Sequence, residues 1–274
     1  NYYLIEVNPR VSRSSALASK ASGYPIARVS AKISVGMHLD EIMIANTPAS
    51  FEPALDYVVT KMPRFPFDKF SSANNKLSTQ MKATGEVMSI GRTIEESLLK
   101  AARSLEIGVN HLYMKKFDAF SDDEMLNYIK DGTDDRIYAI AELLRRKTDI
   151  GMICNATKID MLFLEKIKNI VKTENELKEH IGDTDTLYKA KKLGFSDEFI
   201  GKLWGMTGKE IYKIREKHGM FPVYKMIDTC ASEFESYIPY FYSTYEDENE
   251  SVVSDKKKII VLGSGPIRIG QGVE

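Results

Sequence analysis

The chain has 274 residues, of which 43% are hydrophobic and 28% are charged, which suits one or two globular domains with a buried core. Its formal net charge is -1 at pH 7, so no overall field would attract nucleic acid or an acidic membrane, and no apolar run of about 18 residues predicts a membrane span. Two widely separated cysteines, Cys154 and Cys230, provide neither a disulfide framework nor a metal-binding spacing and are typical of a reducing, cytoplasmic location.

The first predicted element is a buried strand over the apolar residues 2–7. Side chains alternate along a strand, so Glu6 and Asn8 point to the same side. A carboxylate and an amide oxygen are hard donors that suit Mg²⁺, which keeps its remaining positions for water and substrate phosphate. The spacing therefore predicts a metal site where this strand ends.

The turn after this strand carries donors for an anion. Arg10 and Arg13 offer forked guanidinium donors for a planar anion or a phosphate. Residues 12–15 have the composition of a helix N-terminus, whose free N–H groups favour negative charge. The alternative is an ordinary polar turn, in which Ser12 or Ser14 caps the helix and both arginines lie in solvent.

Residues 4–21, LIEVNPRVSRSSALASKA, resemble the metal-binding signature of the carbamoyl-phosphate synthetase large subunit. The resemblance implies that Glu6 and Asn8 bind Mg²⁺ or Mn²⁺ and that Glu6 also belongs to the ATP site. It further implies that Arg10 and Arg13 are catalytic residues that stabilise the bicarbonate-derived anion. K⁺ is an additional cation that the resemblance allows.

Two helices are predicted after the signature. Residues 14–22 are rich in alanine, leucine and serine and predict a helix that ends at Gly23. Residues 25–36 predict a second helix, with Val29 and Ile33 on its inward stripe.

A loop and two strands follow. The prolines of residues 47–53 indicate a loop, residues 56–62 predict a strand that ends before Pro63, and residues 86–91 predict another strand. Thr93 and Glu96 then form a capping box at the start of a helix that ends near Gly108. The positions expected to face inward on this helix are Leu98, Leu99, Ala102 and Leu105.

Three stretches of this part, residues 47–53, 56–65 and 81–92, resemble the same synthetase family. In that family they close the ATP-grasp domain of the first half. We therefore expect residues 1–108 to be the C-terminal part of the first ATP-grasp domain, which makes carboxyphosphate.

The next hundred residues are predicted to be helical. The expected helices cover residues 121–131, 134–146, 158–180, 183–193, 196–204 and 207–218. Capping boxes at Ser121 and Thr207 support two of the starts, and glycines follow four of the helices. Apolar residues recur at helical spacing, which indicates a core or an interface rather than a cofactor site.

One part of this region, residues 196–218, has the helix, turn and helix order of a DNA-reading motif. It holds five basic residues against four acidic ones, whereas a groove reader needs a basic face. The balance favours helix packing over DNA binding. By resemblance, residues 109–220 are the family's helical oligomerisation domain.

The last part resembles the family's connector and the start of its second half. Residues 221–255 are the expected connector, in which Cys230, like Cys154 before it, is a packed thiol rather than a nucleophile. Residues 256–274 predict an apolar strand and a Gly-rich turn that open a doubly wound domain. Arg268 stands where the third glycine of a dinucleotide fingerprint would lie, so a tight turn without a nucleotide is the alternative.

The predicted fold class is thus α/β plus all-α: the C-terminal part of an ATP-grasp domain, a helical oligomerisation domain, and the first strand of a doubly wound domain. The resemblance implies that the parent protein is a ligase that makes carbamoyl phosphate from bicarbonate, ammonia released from glutamine, and two ATP, for arginine and pyrimidine biosynthesis.

The expected partners are a small glutaminase subunit and other large subunits, with self-association through the helical domain and with no nucleic acid and no membrane. The chain starts within a strand and carries no leader pattern, so we expect an internal part of a longer protein that is inactive alone. The alternative function is a non-catalytic helical module that joins subunits.

Overall fold

The computed structural model describes residues 12–67, 69–70, 72–228, 240–263 and 267–268, together with Leu4 and Val7. The helices are α1 (Arg13–Ser22), α2 (Ile26–Ser34), α3 (Ile94–Ser104), α4 (Asp122–Tyr128), α5 (Arg136–Arg145), α6 (Ile150–Thr157), α7 (Met161–Glu179), α8 (Thr184–Lys192), α9 (Asp197–Trp204) and α10 (Gly208–Lys217). The strands are β1 (Met43–Ile44), β2 (Thr47–Pro48), β3 (Val58–Arg64), β4 (Gly85–Gly91), β5 (Val223–Met226), β6 (Phe241–Thr244) and β7 (Ile267–Arg268), and a short 3-10 helix spans Lys115–Ala119.

Helices α3 to α10 surround one hydrophobic core. Its fully buried members include Leu99 from α3, Leu143 from α5, Ile170 from α7 and Ile211 from α10. Each side chain removed from water in this way stabilises the fold by about 1.5–3 kcal/mol. The helices therefore form one packed body rather than a row of independent hairpins.

Helix α3 also packs against a small antiparallel sheet. The strand order is β3-β4-β7, and β3 pairs with β4 from Val58 opposite Gly91 to Arg64 opposite Gly85. Val87 of β4 contacts Ala101 and Leu105 of α3 in a second, smaller core. One face of α3 thus belongs to the helical core and the other to the sheet.

Two further units surround this centre. Helix α2 and the β1-β2 hairpin share a small core that includes Val29, Ile42 and Ile44. Strands β5 and β6 form an antiparallel ribbon, whose Tyr242 packs on Tyr57 with the ring centroids 5.5 Å apart.

Most predicted elements are confirmed. Gly23 ends α1 in the left-handed region, and glycines 182, 194, 205 and 219 have positive φ after their helices. The capping boxes at Ser121 and Thr207 are both formed. Cys154 is half-buried and its thiol donates to the carbonyl of Ile159, as expected for a packed thiol.

Several boundaries were predicted wrongly. Strand β3 continues through Pro63, because β3 has a partner on one side only within the described sheet and an edge strand tolerates a residue without N–H. Thr47–Pro48 pairs with Met43–Ile44 inside the expected loop. The helix expected from residue 158 begins at Met161, since Lys158 adopts φ 60 as the end of the unpredicted helix α6.

Two further predictions, one for Ile33 and one for Glu96, are wrong. Ile33, expected on the inward stripe of α2, is exposed, because this short helix packs only around Val29. Thr93 accepts from the backbone of Glu96 as predicted, but the Glu96 carboxylate binds the N–H of Arg92 instead of closing the box on Thr93.

The two predicted terminal strands are not formed by those of their residues that the structure describes. Leu4 and Val7 are 82% and 69% exposed and lie in no strand, and the other residues of 2–7 are outside the described part. Residues 259–262 are exposed and irregular. An apolar strand of a parallel sheet needs neighbours on both sides and both faces, and nothing in the described residues supplies them here.

We predict that Gly194 tolerates a side chain less well than Gly182. Both have positive φ, but a Cβ at Gly194 would lie 2.9 Å from the Cα and the carbonyl oxygen of Glu96, whereas a Cβ at Gly182 would meet nothing within 4 Å. Gly182→Ala should cost about 1 kcal/mol of the free energy of unfolding through backbone strain. Gly194→Ala should cost a further ~1–3 kcal/mol through the clash. Urea denaturation of both variants measures the difference, and equal losses would contradict the close approach.

Candidate functional site

The residues predicted to bind metal and anion lie almost wholly outside the described part. Glu6, Asn8 and Arg10 are not described, and Arg13 is the first residue of α1 without a described side chain. Ser12 is the N-cap of α1, and its side chain accepts from the N–H of Ser15. The helix start is thus confirmed, while the convergence of the four side chains stays a prediction.

A survey of the described residues finds no group of three or more His, Cys, Asp or Glu side chains placed to hold a metal ion. The same part of the chain has no helix that is long and apolar enough to cross a membrane. What it does contain is a set of buried ionised side chains at the junctions between elements.

The first buried carboxylate is that of Glu96, at the start of α3. It accepts from the N–H of Arg92 at 2.7 Å and from the hydroxyl of Thr244 at 3.1 Å, and it pairs with Lys100 at 2.7 Å. Lys100 also donates to the carbonyls of Ile90 and Ser243. Glu96 therefore ties the end of β4 and the β6 strand of the ribbon to one turn of α3.

The second carboxylate is that of Asp197, which is half-buried at the start of α9. Arg215 of α10 binds both of its oxygens, with Nη2 at 2.6 Å and Nε at 3.0 Å, and Lys191 of α8 binds it at 2.9 Å. Burial lowers the pKa of Lys191 to about 8, although Asp197 opposes the shift. Lys191 and Arg215 also lie 5.3 and 5.7 Å from the centroid of the Tyr245 ring, which attaches the end of the ribbon.

The third buried carboxylate is that of Glu174, in the middle of α7. Arg145 donates to both of its oxygens at 2.7 and 2.8 Å, and the Nε2 atom of His111 lies 2.8 Å from Oε1. Burial alone would raise the pKa of Glu174, but the hydrogen bonds from Arg145 and His111 outweigh burial and lower this pKa to about 2.

His111 is neutral in this arrangement. Burial lowers its pKa against the opposing effect of Glu174. An ionised carboxylate can only accept, so Nε2 carries the proton and Nδ1 does not. Nδ1 has no hydrogen-bond partner within the described part, and the ring stacks on Phe199 at 3.7 Å between centroids.

A cavity of about 640 Å³ opens beside this third cluster. It lies between the segment of residues 107–116 and helices α5, α7 and α9. His111, Arg145 and Glu174 line it, together with Phe199 and Leu203 from α9. Its volume is that of an ordinary small-molecule site.

Sequence reasoning missed the roles of Glu96, Asp197 and Glu174. Glu174 could have been found, because it lies on the apolar stripe of α7, seven residues after Ile167 and three before Leu177. Glu96 and Asp197 resemble ordinary acidic residues in the first turn of a helix, so nothing local marks the contacts that they make with distant elements.

Two comparisons with protein families bear on this structure. Residues 86–219 match the model described as carbamoyl-phosphate synthetase large chain, oligomerisation domain. Residues 1–42 match the model described as carbamoyl-phosphate synthase L chain, ATP binding domain. Both matches agree with the resemblance found in the sequence, and the first covers the helical core and its buried carboxylates.

We predict that His111 makes the stability of the fold depend on pH near neutrality. Its folded pKa lies below the ordinary value of about 6.5, so the unfolded state binds more protons below that value and the free energy of unfolding falls as the pH drops. The slope should reach at most about 1.4 kcal/mol per pH unit. The free energy of unfolding, measured by denaturation between about pH 7.5 and 5.5, should show this slope in the unsubstituted chain. The slope should be flatter in His111→Gln, whose amide can still donate to Glu174.

His38→Gln is the matched control, because His38 is exposed. This variant should show the same dependence of the free energy of unfolding on pH as the unsubstituted chain. A slope that survives in His111→Gln, or disappears in His38→Gln, would contradict the neutral buried histidine.

Proposed function

The chain belongs to the carbamoyl-phosphate synthetase large-chain family, and on this premise we propose that its parent protein makes carbamoyl phosphate from bicarbonate, ammonia released from glutamine, and two ATP. The family is a ligase family. The match of residues 1–42 to its ATP binding domain supports the use of ATP. A small glutaminase subunit as the source of ammonia is part of the proposal.

We propose that residues 109–220 form the oligomerisation domain and that their role is structural. One observation carries this assignment: most members of the main hydrophobic core inside the matched stretch, residues 86–219, lie between Leu112 and Ile211. A body with one continuous core can hold flanking segments at fixed positions. The flanking units would be residues 1–108, the connector 221–255 and the start of the second half, 256–274.

The proposed partner of this domain is a second large chain, and one surface suits such contact. Met152 on α6 and Leu162 and Phe163 in the first turn of α7 are 52%, 54% and 51% exposed. Helices α6 and α7 pack against each other, and large exposed apolar side chains on neighbouring helices suit a protein interaction surface. The alternative function, a module that only joins subunits, would use the same surface without any catalytic half.

We propose that the N-terminal signature supplies part of the site that phosphorylates bicarbonate. Glu6 and Asn8 offer a carboxylate and an amide oxygen, a donor set that fits Mg²⁺ or Mn²⁺. A bound divalent ion would neutralise charge on the ATP phosphates. Arg10 and Arg13 would hold the bicarbonate-derived anion in line with the transferred phosphoryl group, because this chemistry depends on positioning and charge.

Self-association should depend on the exposed apolar residues of α7. Leu162→Asp and Phe163→Asp should each weaken it by about tenfold or more, which corresponds to the loss of more than ~1 kcal/mol at an interface anchor. Both positions lie in the first turn of the helix, where an acidic residue favours the helix, so folding should be retained. Sedimentation equilibrium of the chain measures the effect.

Ile181→Asp is the matched control, since Ile181 is 60% exposed, lies after the end of α7 and receives the same charge. It should leave association unchanged. If the unsubstituted chain is strictly monomeric, or if all three variants lose self-association equally, this surface is not the one that associates.

In the full-length parent protein, Glu6→Ala should abolish bicarbonate-dependent ATP hydrolysis, a loss of more than ~100-fold, because a direct metal ligand is worth more than the groups that orient it. Glu52→Ala, which removes an exposed carboxylate, should hydrolyse ATP at the rate of the unsubstituted full-length protein. Steady-state assays with varied Mg²⁺ measure both. Near-normal hydrolysis by a folded Glu6→Ala protein would remove the metal assignment.

A further inference from the structure

The cavity beside His111 carries a charge pattern that the structural role of the helical domain does not use. Five cationic side chains line it against a single carboxylate, that of Glu174. Both oxygens of this carboxylate are already taken by Arg145 and His111. In a chain of net charge -1, this is a local excess of positive charge.

Three of the cationic side chains remain available to a ligand. Arg145 is paired with Glu174, and Lys116 is paired with Asp135. Lys115, Lys178 and Lys202 are exposed and have no ion pair or hydrogen bond within the described part of the chain.

These three lysines come from separate elements. Lys115 begins the 3-10 helix, Lys178 lies in the last turn of α7 and Lys202 lies on α9. All three lysines line the same cavity, so an anion bound in it would attract each of their ammonium groups. A lysine acts as a point charge for phosphate, so three such groups suit a multiply charged phosphate better than a single carboxylate.

Part of the cavity wall is apolar and aromatic. It includes Ile107, Val109, Phe199 and Leu203, and the neutral ring of His111 stacks on Phe199. Such a wall favours a ligand with an apolar or planar body. Inorganic phosphate alone would leave this part of the 640 Å³ cavity unfilled.

We propose that this cavity binds a small organic phosphate with an aromatic body, its phosphate held by Lys115, Lys178 and Lys202 and its ring placed against Phe199 and Leu203. The site lies within the helical domain, apart from the N-terminal signature in sequence and in the elements that build it. Ligand binding there would bring the loop of residues 107–116 and helices α7 and α9 together, and it does not depend on the proposed synthetase chemistry.

Isothermal titration calorimetry of the chain with phenyl phosphate tests the site, with inorganic phosphate and benzyl alcohol as separate probes of the charged and the aromatic part. Phenyl phosphate should bind more tightly than either. Lys178→Ala combined with Lys202→Ala should weaken its binding by about tenfold, as expected for the loss of two exposed charge contacts.

The control is Lys209→Ala combined with Lys213→Ala, which removes the same charge from exposed positions on α10 that do not line the cavity. It should leave the affinity for phenyl phosphate within about twofold of the parent value. Absence of phenyl phosphate binding, equal loss in both double variants, or equally tight binding of inorganic phosphate would each overturn the proposal.

Discussion

The structure depends on one buried carboxylate, that of Glu96, confined between two glycines. A Cβ at Gly91 would lie 2.8 Å from its Oε2 atom, and a Cβ at Gly194 would lie 2.9 Å from its Cα. A charge in such a place is tolerated only if it is fully hydrogen-bonded, and the partners come from Arg92, Lys100 and Thr244. The hydrogen bonds of this one residue therefore connect the sheet, the helical body and the ribbon, in addition to the packing of Val87 on α3 and of Tyr242 on Tyr57.

Asp197 and Glu174 have a similar role inside the helical body. Each joins elements distant in sequence, with Asp197 linking α8, α9 and α10, and Glu174 linking α5 and α7 to the loop of His111. Buried ion pairs of this kind add little net stability compared with apolar packing, but removal of one partner is costly. Such pairs favour one arrangement of the helices, which agrees with the proposed structural role of this domain.

The same arrangement leaves surfaces of the helical body for the two roles proposed above. The internal faces of the helices are committed to the core and to the buried carboxylates, so the surfaces left over are free to acquire other roles. On α6 and α7 these are the exposed apolar side chains such as Leu162 and Phe163, suited to a second chain. Around the cavity they are the lysines left without carboxylate partners in the described residues, of which Lys178 and Lys202 lie on α7 and α9.

The sequence by itself determined the family, most helix limits and the caps, because these depend on residues within a few positions of each other: Ser121 and Glu124, Thr207 and Glu210, or the glycine after each helix. It also predicted a metal site at Glu6 and Asn8, and both residues lie outside the described part of the chain. Only the tertiary structure decided that Glu96 and Glu174 are buried, that Asp197 lies between Lys191 and Arg215, that Pro63 lies within a strand, and that lysines of three separate elements line one cavity. Each of these depends on which distant segment packs opposite, since Thr244 meets Glu96 across 148 positions of the chain, and no local pattern of residues carries that information.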